Sequence, residues 1–379
     1  MTERRLLRRA AACALAALAI AAAPPAGASN DQYFTQQWNL AQIGAEEAWG
    51  TSTGSGVLVG IVDTGIDSSH PDLRGNVAAQ ANCVGGTCRE GTAPDGHGHG
   101  TAVAGVIAAT ANNGTGIAGV APDARLVVAK AMDDRGRGRT EDINAAIQWV
   151  VERGAKVVNL SLGDPDLTIV ARLGSPLESG IEYAWSRGAI PVLASGNYRE
   201  GLNETGSANY GNLNAVVVGA VDKGGNVASY STSLGTAKWG VVAPGGSGRG
   251  TGVDVVTTAP SGRYRWIAGT SFAAPHVSGA LALLLAQGYQ PTAAVQRLLG
   301  TVDSSVSCGE GCKGTLRLAS AVAPTTTVVV AAAAGDPGLG AASGGMSPVV
   351  WIAVTLAVAV LAGGAAFAAA RRRRTSVTW

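Results

Sequence analysis

Charge is scarce in this chain. Asp, Glu, Lys and Arg make up only 14% of the 379 residues, against 46% hydrophobic, a low charged share for a soluble protein. Part of that imbalance lies at the two ends. Lysine is rarest, 5 against 23 arginines; with abundant Ala and Gly this fits a GC-rich genome and carries no information about nucleic acid. No basic patch interleaved with aromatics occurs, which excludes the usual footprint of a nucleic-acid binder. No internal repeat is evident, which excludes a solenoid. Cysteines number five. Setting aside Cys13 near the N-terminus, Cys83, Cys88, Cys308 and Cys312 allow three pairings. Their spacing is compatible with two short local loops. Metal binding is the alternative, weakened if the chain is exported to an oxidising compartment.

Export is what the first 28 residues predict. Arg4, Arg5, Arg8 and Arg9 precede the apolar run Ala10 to Ala23, and Ala26-Gly27-Ala28 is a small-x-small cleavage signature. The residues after the paired arginines fit a twin-arginine signal poorly, so the ordinary export route is expected. Residues 349–370 form a second apolar run of 22 residues without a charge, long enough to span a bilayer. Arg371 to Arg374 follow at once, which puts the tail, 371–379, in the cytoplasm. Residues 323–348, rich in Pro, Thr, Gly, Ala and Ser, read as a flexible tether. The expectation is a folded domain over 29–322 held outside the cytoplasmic membrane by a single pass. Without the leader and the four tail arginines that domain is mildly acidic.

Within the domain, short apolar strands alternate with helices. Residues 29–50 carry Tyr33, Phe34, Trp38 and Trp49 and read as a strap with a short helix. Val57 to Val62 is a continuous β-branched run bounded by glycine, the pattern of a buried parallel strand. Strands follow at Arg125 to Ala131, Lys156 to Leu160, Ala189 to Ala194, Val216 to Val221 and Gly240 to Ala243. Helices are expected at Thr101 to Thr110, Glu141 to Arg153, Leu177 to Ser186, Phe272 to Leu285 and Thr292 to Leu299. The alternation predicts an α/β fold with a mainly parallel sheet. Sites in such sheets gather at the C-terminal strand ends, which puts Asp63 and the turn Leu193 to Asn197 on one edge.

Four stretches carry chemistry. Gly269-Thr270 delivers Ser271 to the start of an apolar helix, where developing negative charge is favoured. A serine there is a plain N-cap or, given a base, a nucleophile. Asp63 ends a buried strand, where a carboxylate needs hydrogen bonds. His99 lies in Gly96-His97-Gly98-His99-Gly100-Thr101, with glycines that leave room for a substrate backbone. His97 and His99 form a weak metal pattern, lacking nearby Cys or Glu ligands. Asn197 ends a strand in a glycine turn, where its amide can donate to an oxyanion.

The segments Val59 to Asp67, His99 to Gly105 and Gly269 to His276 resemble the three signatures of subtilisin-like serine proteases, in that family's Asp, His, Ser order. The resemblance covers Gln37 to Val322 and implies a three-layer subtilisin-like fold. It also implies roles: Ser271 as nucleophile, His99 as general base and then acid, Asp63 as the group that orients the imidazole, and Asn197 as oxyanion donor with the Ser271 amide. Ser161-Leu162-Gly163 matches the segment that pairs with substrate backbone, and Ala194-Ser195-Gly196 the opposite wall of the specificity pocket. Peptide cleavage needs no cofactor. A structural calcium is implied at Asp72 and Asn113, with loop carbonyls completing the shell.

Two departures stand out. Fewer than thirty residues separate the leader from the first strand, too few for the family's long folding pro-domain, and Phe272 replaces the usual methionine after the nucleophile. Leader, short Gln-Trp start, Gly-Thr-Ser-Phe-Ala-Ala-Pro and C-terminal anchor together resemble the mycosins, membrane-anchored subtilases associated with type VII secretion. The resemblance implies an endopeptidase processing exported proteins, or a structural component of a secretion complex whose proteolysis is dispensable.

Overall fold

The computed structural model describes residues 29–162, 177–197 and 210–324. These lie in one compact unit, Met1–Thr325. The expected leader, the tether beyond residue 324, the membrane run 349–370, the tail and Gly163 lie outside the described residues. Among the described residues no helix is long and apolar enough to cross a membrane.

The strands are β1 Leu58–Asp63, β2 Val77–Asn82, β3 Arg89–Glu90, β4 Arg125–Lys130, β5 Val157–Leu160, β6 Ile190–Ala194, β7 Val216–Val221, β8 Trp239–Pro244, β9 Val255–Ala259, β10 Arg263–Ile267 and β11 Cys312–Thr315. Nine form one sheet in the order β11-β8-β7-β6-β5-β1-β4-β2-β3. Every pairing in it is parallel except β2 with β3. β1 lies between β4 and β5 in register, so the chain turns from one half of the sheet to the other beside the end of β1. That is where an open parallel sheet leaves a crevice. The β-branched runs are strands because both faces are covered. Ile61, Val192 and Val218 are fully buried in one core, Val62, Leu193 and Val217 in the other, and each such side chain contributes about 1.5–3 kcal/mol.

The helices are α1 Trp38–Ile43, α2 Ala45–Trp49, α3 His99–Ala108, α4 Thr140–Glu152, α5 Glu178–Ser186, α6 Thr270–Ala286, α7 Pro291–Gly300 and α8 Leu318–Val322. α4 buries Ile143, Ile147, Val150 and Val151 on one stripe and packs with α5 over one face of the sheet. α3 and α6 cover the other face with α1 and α2. Helix, sheet, helix: three layers. α6 is buried all round from Thr270 to Leu284, so it is a core helix without a polar face.

Most element boundaries shift by one or two residues from expectation. Two of those shifts matter: α3 begins at His99 rather than Thr101, and α6 at Thr270 rather than Phe272. The residues 29–50 form two helices separated by Gly44 rather than one. The antiparallel β9–β10 hairpin, β2, β3 and β11 were not expected. The cysteines pair locally, Cys83 with Cys88 and Cys308 with Cys312.

Candidate active site

Asp63 ends β1 fully buried, and its carboxylate accepts from His99 Nδ1 at 2.8 and 3.0 Å and from the Thr64 N–H at 2.7 Å. An ionised carboxylate only accepts, so Nδ1 of His99 carries the proton and Nε2 is left with its lone pair. The His99 side chain is 18% exposed, so the imidazole is not sealed in the core. Burial opposes the imidazolium, but the charge of Asp63 and its hydrogen bond outweigh burial and raise the His99 pKa above the ordinary 6.5. Gly100 makes the close approach possible: a Cβ there would meet the Gly65 carbonyl at 2.2 Å.

The loop that carries His99 is tied by a residue the sequence reading missed. Buried Asp95 accepts from the Thr64 hydroxyl at 2.8 Å, the Gly98 N–H at 2.7 Å, and the Thr101 N–H and hydroxyl at 2.8 and 2.6 Å. Burial raises the Asp95 pKa, yet these donors together hold it below the usual value. Thr64 in turn accepts from the Gly100 N–H at 2.9 Å. Asp95 thus joins the turn after Asp63 to both sides of His99. The Asp-Gly-His spelling of the loop was a turn signal, but only the fold shows what the carboxylate holds.

Ser271 is the second residue of α6, not its cap. The N-cap is Gly269, which makes no side-chain cap bond and has φ 151°, a conformation that favours glycine. The plain N-cap reading therefore does not describe Ser271. Its hydroxyl donates to the Ser161 carbonyl at 3.3 Å and is not hydrogen-bonded to His99. Phe272, the next residue, packs its ring 5.4 Å from the imidazole, so the first turn of α6 lies beside His99. Catalytic hydrogen bonds are often loose in a free enzyme.

The start of α6 is fastened to β5 in a way that proline dictates. Pro275 has no N–H, so the Ser271 carbonyl lacks its partner four residues on. Ser161 Oγ donates to that carbonyl at 2.8 Å instead. Asn159 Nδ2 donates to Ser161 Oγ at 2.9 Å, and Ser278 Oγ donates to Asn159 Oδ1 at 2.8 Å. All four residues are buried. One turn on, His276 donates from Nδ1 to the Phe272 carbonyl at 2.7 Å and accepts at Nε2 from Asn39 Nδ2 at 2.9 Å. Full burial presses its pKa down to about 4, so it stays neutral.

Asn197 lies beside the nucleophile turn. Its Oδ1 accepts from the Thr270 N–H at 2.9 Å and the Thr270 hydroxyl at 3.0 Å. Those donors fix the orientation of the amide, and Nδ2 makes no hydrogen bond among the described residues. Gly196 donates its N–H to the Thr270 hydroxyl at 3.1 Å, and Ser195 Oγ donates to the Thr232 carbonyl at 3.1 Å. Ala194, Ser195 and Gly196 thus continue β6 along the same edge. Leu162 is half-buried beside Ser161.

Asp72 and Asn113 come together, but as hydrogen-bond partners. Asp72 accepts from Asn113 Nδ2 at 2.9 Å, the Ile117 N–H at 3.0 Å and the Tyr264 hydroxyl at 3.0 Å. Burial raises the Asp72 pKa, with these bonds opposing it. In the strap, Asp31 accepts from the Asn112 and Asn113 N–H groups. A calcium ion needs converging oxygens, whereas donors surround Asp72, so the residues as arranged do not fit the ion. Among the described residues no group of three His, Cys, Asp or Glu could hold a metal. His97, its ring 6.3 Å from that of His99, gains no third ligand.

Comparison with known proteins agrees with this geometry. Residues 54–337 match the model of the Subtilase family. Thermitase of Thermoactinomyces vulgaris is 35% identical over 77% of this chain and 98% of its own length. The thermophilic serine proteinase of a Bacillus species is 39% identical over 74% of this chain, which spans 65% of that protein. Among solved structures, a protease of Pseudoalteromonas arctica superposes with a TM-score of 0.68 at 30% identity, covering 78% of this chain and 99% of that one. These similarities carry the serine endopeptidase class with them, and the chain belongs to the subtilase family.

Proposed function

We propose that Ser271, His99 and Asp63 form the catalytic triad of a membrane-anchored serine endopeptidase, with Asn197 Nδ2 and the Ser271 N–H as oxyanion donors. The observation that carries the triad is the His99–Asp63 pair, which leaves Nε2 as a base beside the first turn of α6. Ser271 attacks the scissile carbonyl as Nε2 takes its proton, and the imidazolium returns that proton to the leaving amine. The oxyanion that develops as Ser271 attacks meets a helix start and the Asn197 amide N–H. Substrate backbone extends along Ser161 and Leu162 as an added strand, with Ala194, Ser195 and Gly196 opposite. The uncharged run 349–370 followed by four arginines supports tethering of this unit to the outer face of the cell membrane. A tethered protease fits the trimming of a few exported proteins better than bulk digestion, and the mycosin-like motif set favours clients of a type VII secretion system. Mapping the N-termini of exported proteins from cells carrying the wild type or Ser271→Ala tests the reading. A small set of new N-termini present only with the wild type, with the enzyme in the membrane fraction, supports it. Identical N-termini in both strains, or enzyme released to the medium, refutes it.

A further inference from the structure

The β9–β10 hairpin is outside the catalytic scheme, yet it leads into the nucleophile. Along β10, Tyr264 and Trp266 pack on Tyr33 of the strap, with ring centroids at 5.1 and 5.9 Å. Side chains alternate along a strand, so Arg265 and Ile267 share the opposite face. Arg265 reaches the loop of the catalytic base: its Nη2 donates to the Gly98 carbonyl, one residue before His99, at a long 3.4 Å. Among the described residues that is the guanidinium's single hydrogen bond. No carboxylate lies within ion-pair distance of it among the described residues, and its Nε is buried without a partner. Asp95 is near enough to interact, but its oxygens are filled by Thr64, Gly98 and Thr101. A half-buried guanidinium with open donors is costly to keep and suited to a planar, two-oxygen acceptor.

Its position indicates what that acceptor belongs to. The acyl half of a substrate pairs along β5 at Ser161. The leaving half departs past His99, which protonates it, and so passes the loop that Arg265 holds. We propose that Arg265 is a specificity residue for the leaving segment, taking a carboxylate carried by the substrate chain downstream of the scissile bond, with the aliphatic Ile267 beside it. The proposal rests on the triad reading above, not on where the enzyme sits: loss of all cleavage would count against that reading, loss of the acid preference alone against this one.

The test uses the full-length protein and internally quenched peptides, amidated at the C-terminus, that carry Asp or Glu against Asn or Gln at each of the first three downstream positions. The expected result is a preference in kcat/KM of about tenfold for the acid at one of those positions, the size of one charge-assisted pair. Arg265→Gln brings the acid-to-amide ratio close to one, and Arg265→Glu turns the preference toward Lys at that position. A further arm ends the peptide there as a free acid; a preference for the free acid that Arg265→Gln removes assigns the carboxylate to a chain terminus rather than a side chain. Each ratio is taken within one enzyme, so a variant that folds in lower yield still reports. No preference in the wild type, or the same ratio in wild type and Arg265→Gln, overturns the proposal.

Discussion

Ser161→Ala should destabilise the enzyme because of Pro275, a residue five strands further along the chain. The substitution leaves the Ser161 backbone in place and deletes one hydroxyl. The Ser271 carbonyl then loses the donor that Pro275 cannot supply, and Asn159 Nδ2 loses its acceptor. Both groups are buried. A buried polar group left unpaired costs about 1–3 kcal/mol, so two of them give a loss of about 2–6 kcal/mol. The rescue is more diagnostic than the loss. Pro275→Ala restores an N–H one helical turn from the Ser271 carbonyl, so Ser161→Ala should cost less by about 1 kcal/mol or more in that background. Urea unfolding, read by linear extrapolation, gives all four corners of the cycle. It is done in a Ser271→Ala background, which prevents self-digestion and keeps the carbonyl. Additivity within about 0.5 kcal/mol would refute the link between the proline and Ser161.

Three further outcomes follow from the same structure. Asp63 raises the His99 pKa, and activity needs the free imidazole. Thus kcat/KM should rise with pH through a value above 6.5, and Asp63→Asn should move that limb to lower pH while cutting the rate. The stability term has the opposite sign: it is full below the ordinary histidine value and is lost as pH rises through the raised one. For His276 the folded value of about 4 lies under the unfolded 6.5, so the unfolded chain binds the extra proton and stability falls between those limits on acidification. The fall is at most about 3 kcal/mol, and His276→Gln should flatten that part of the urea midpoint against pH. Asn197→Ala should lower kcat by about 10²–10³ with little change in KM, measured on a peptide amide; a change confined to KM would argue against an oxyanion role.

What the sequence made legible was local. Asp63 ends a run of β-branched residues, His99 opens a helix between glycines, and Ser271 follows Gly269-Thr270, so each stretch announces its own backbone geometry. The parallel sheet followed from the same runs, since Val57 to Val62 and Val216 to Val221 lack the alternation of a half-exposed strand. What escaped was held together through space. Asp95 reads as a loop acid until its four donors surround it. Ser161 was placed on the substrate edge, while its hydroxyl serves α6, a role set by Pro275 far along the chain. β2, with a single β-branched residue in Val77–Asn82, is a strand because β4 and β3 pair with it. The β9–β10 hairpin did leave a signal, a β-branched run and then Pro260-Ser261-Gly262, that a turn rule reads. Asp72 and Asn113 show the reverse case: a sequence match brought the right residues together, and the hydrogen bonds around them were of the wrong polarity for a cation.

The central claim is that Ser271 is the nucleophile and His99 its base. Reaction of the full-length protein with a fluorophosphonate, followed by mass mapping of the adduct, tests it most directly. The account predicts a single adduct on Ser271, formed more slowly as pH falls through the His99 transition and nearly abolished by His99→Ala, with activity lost in proportion to labelling. An adduct on another residue, or full activity with Ser271 labelled, would contradict it.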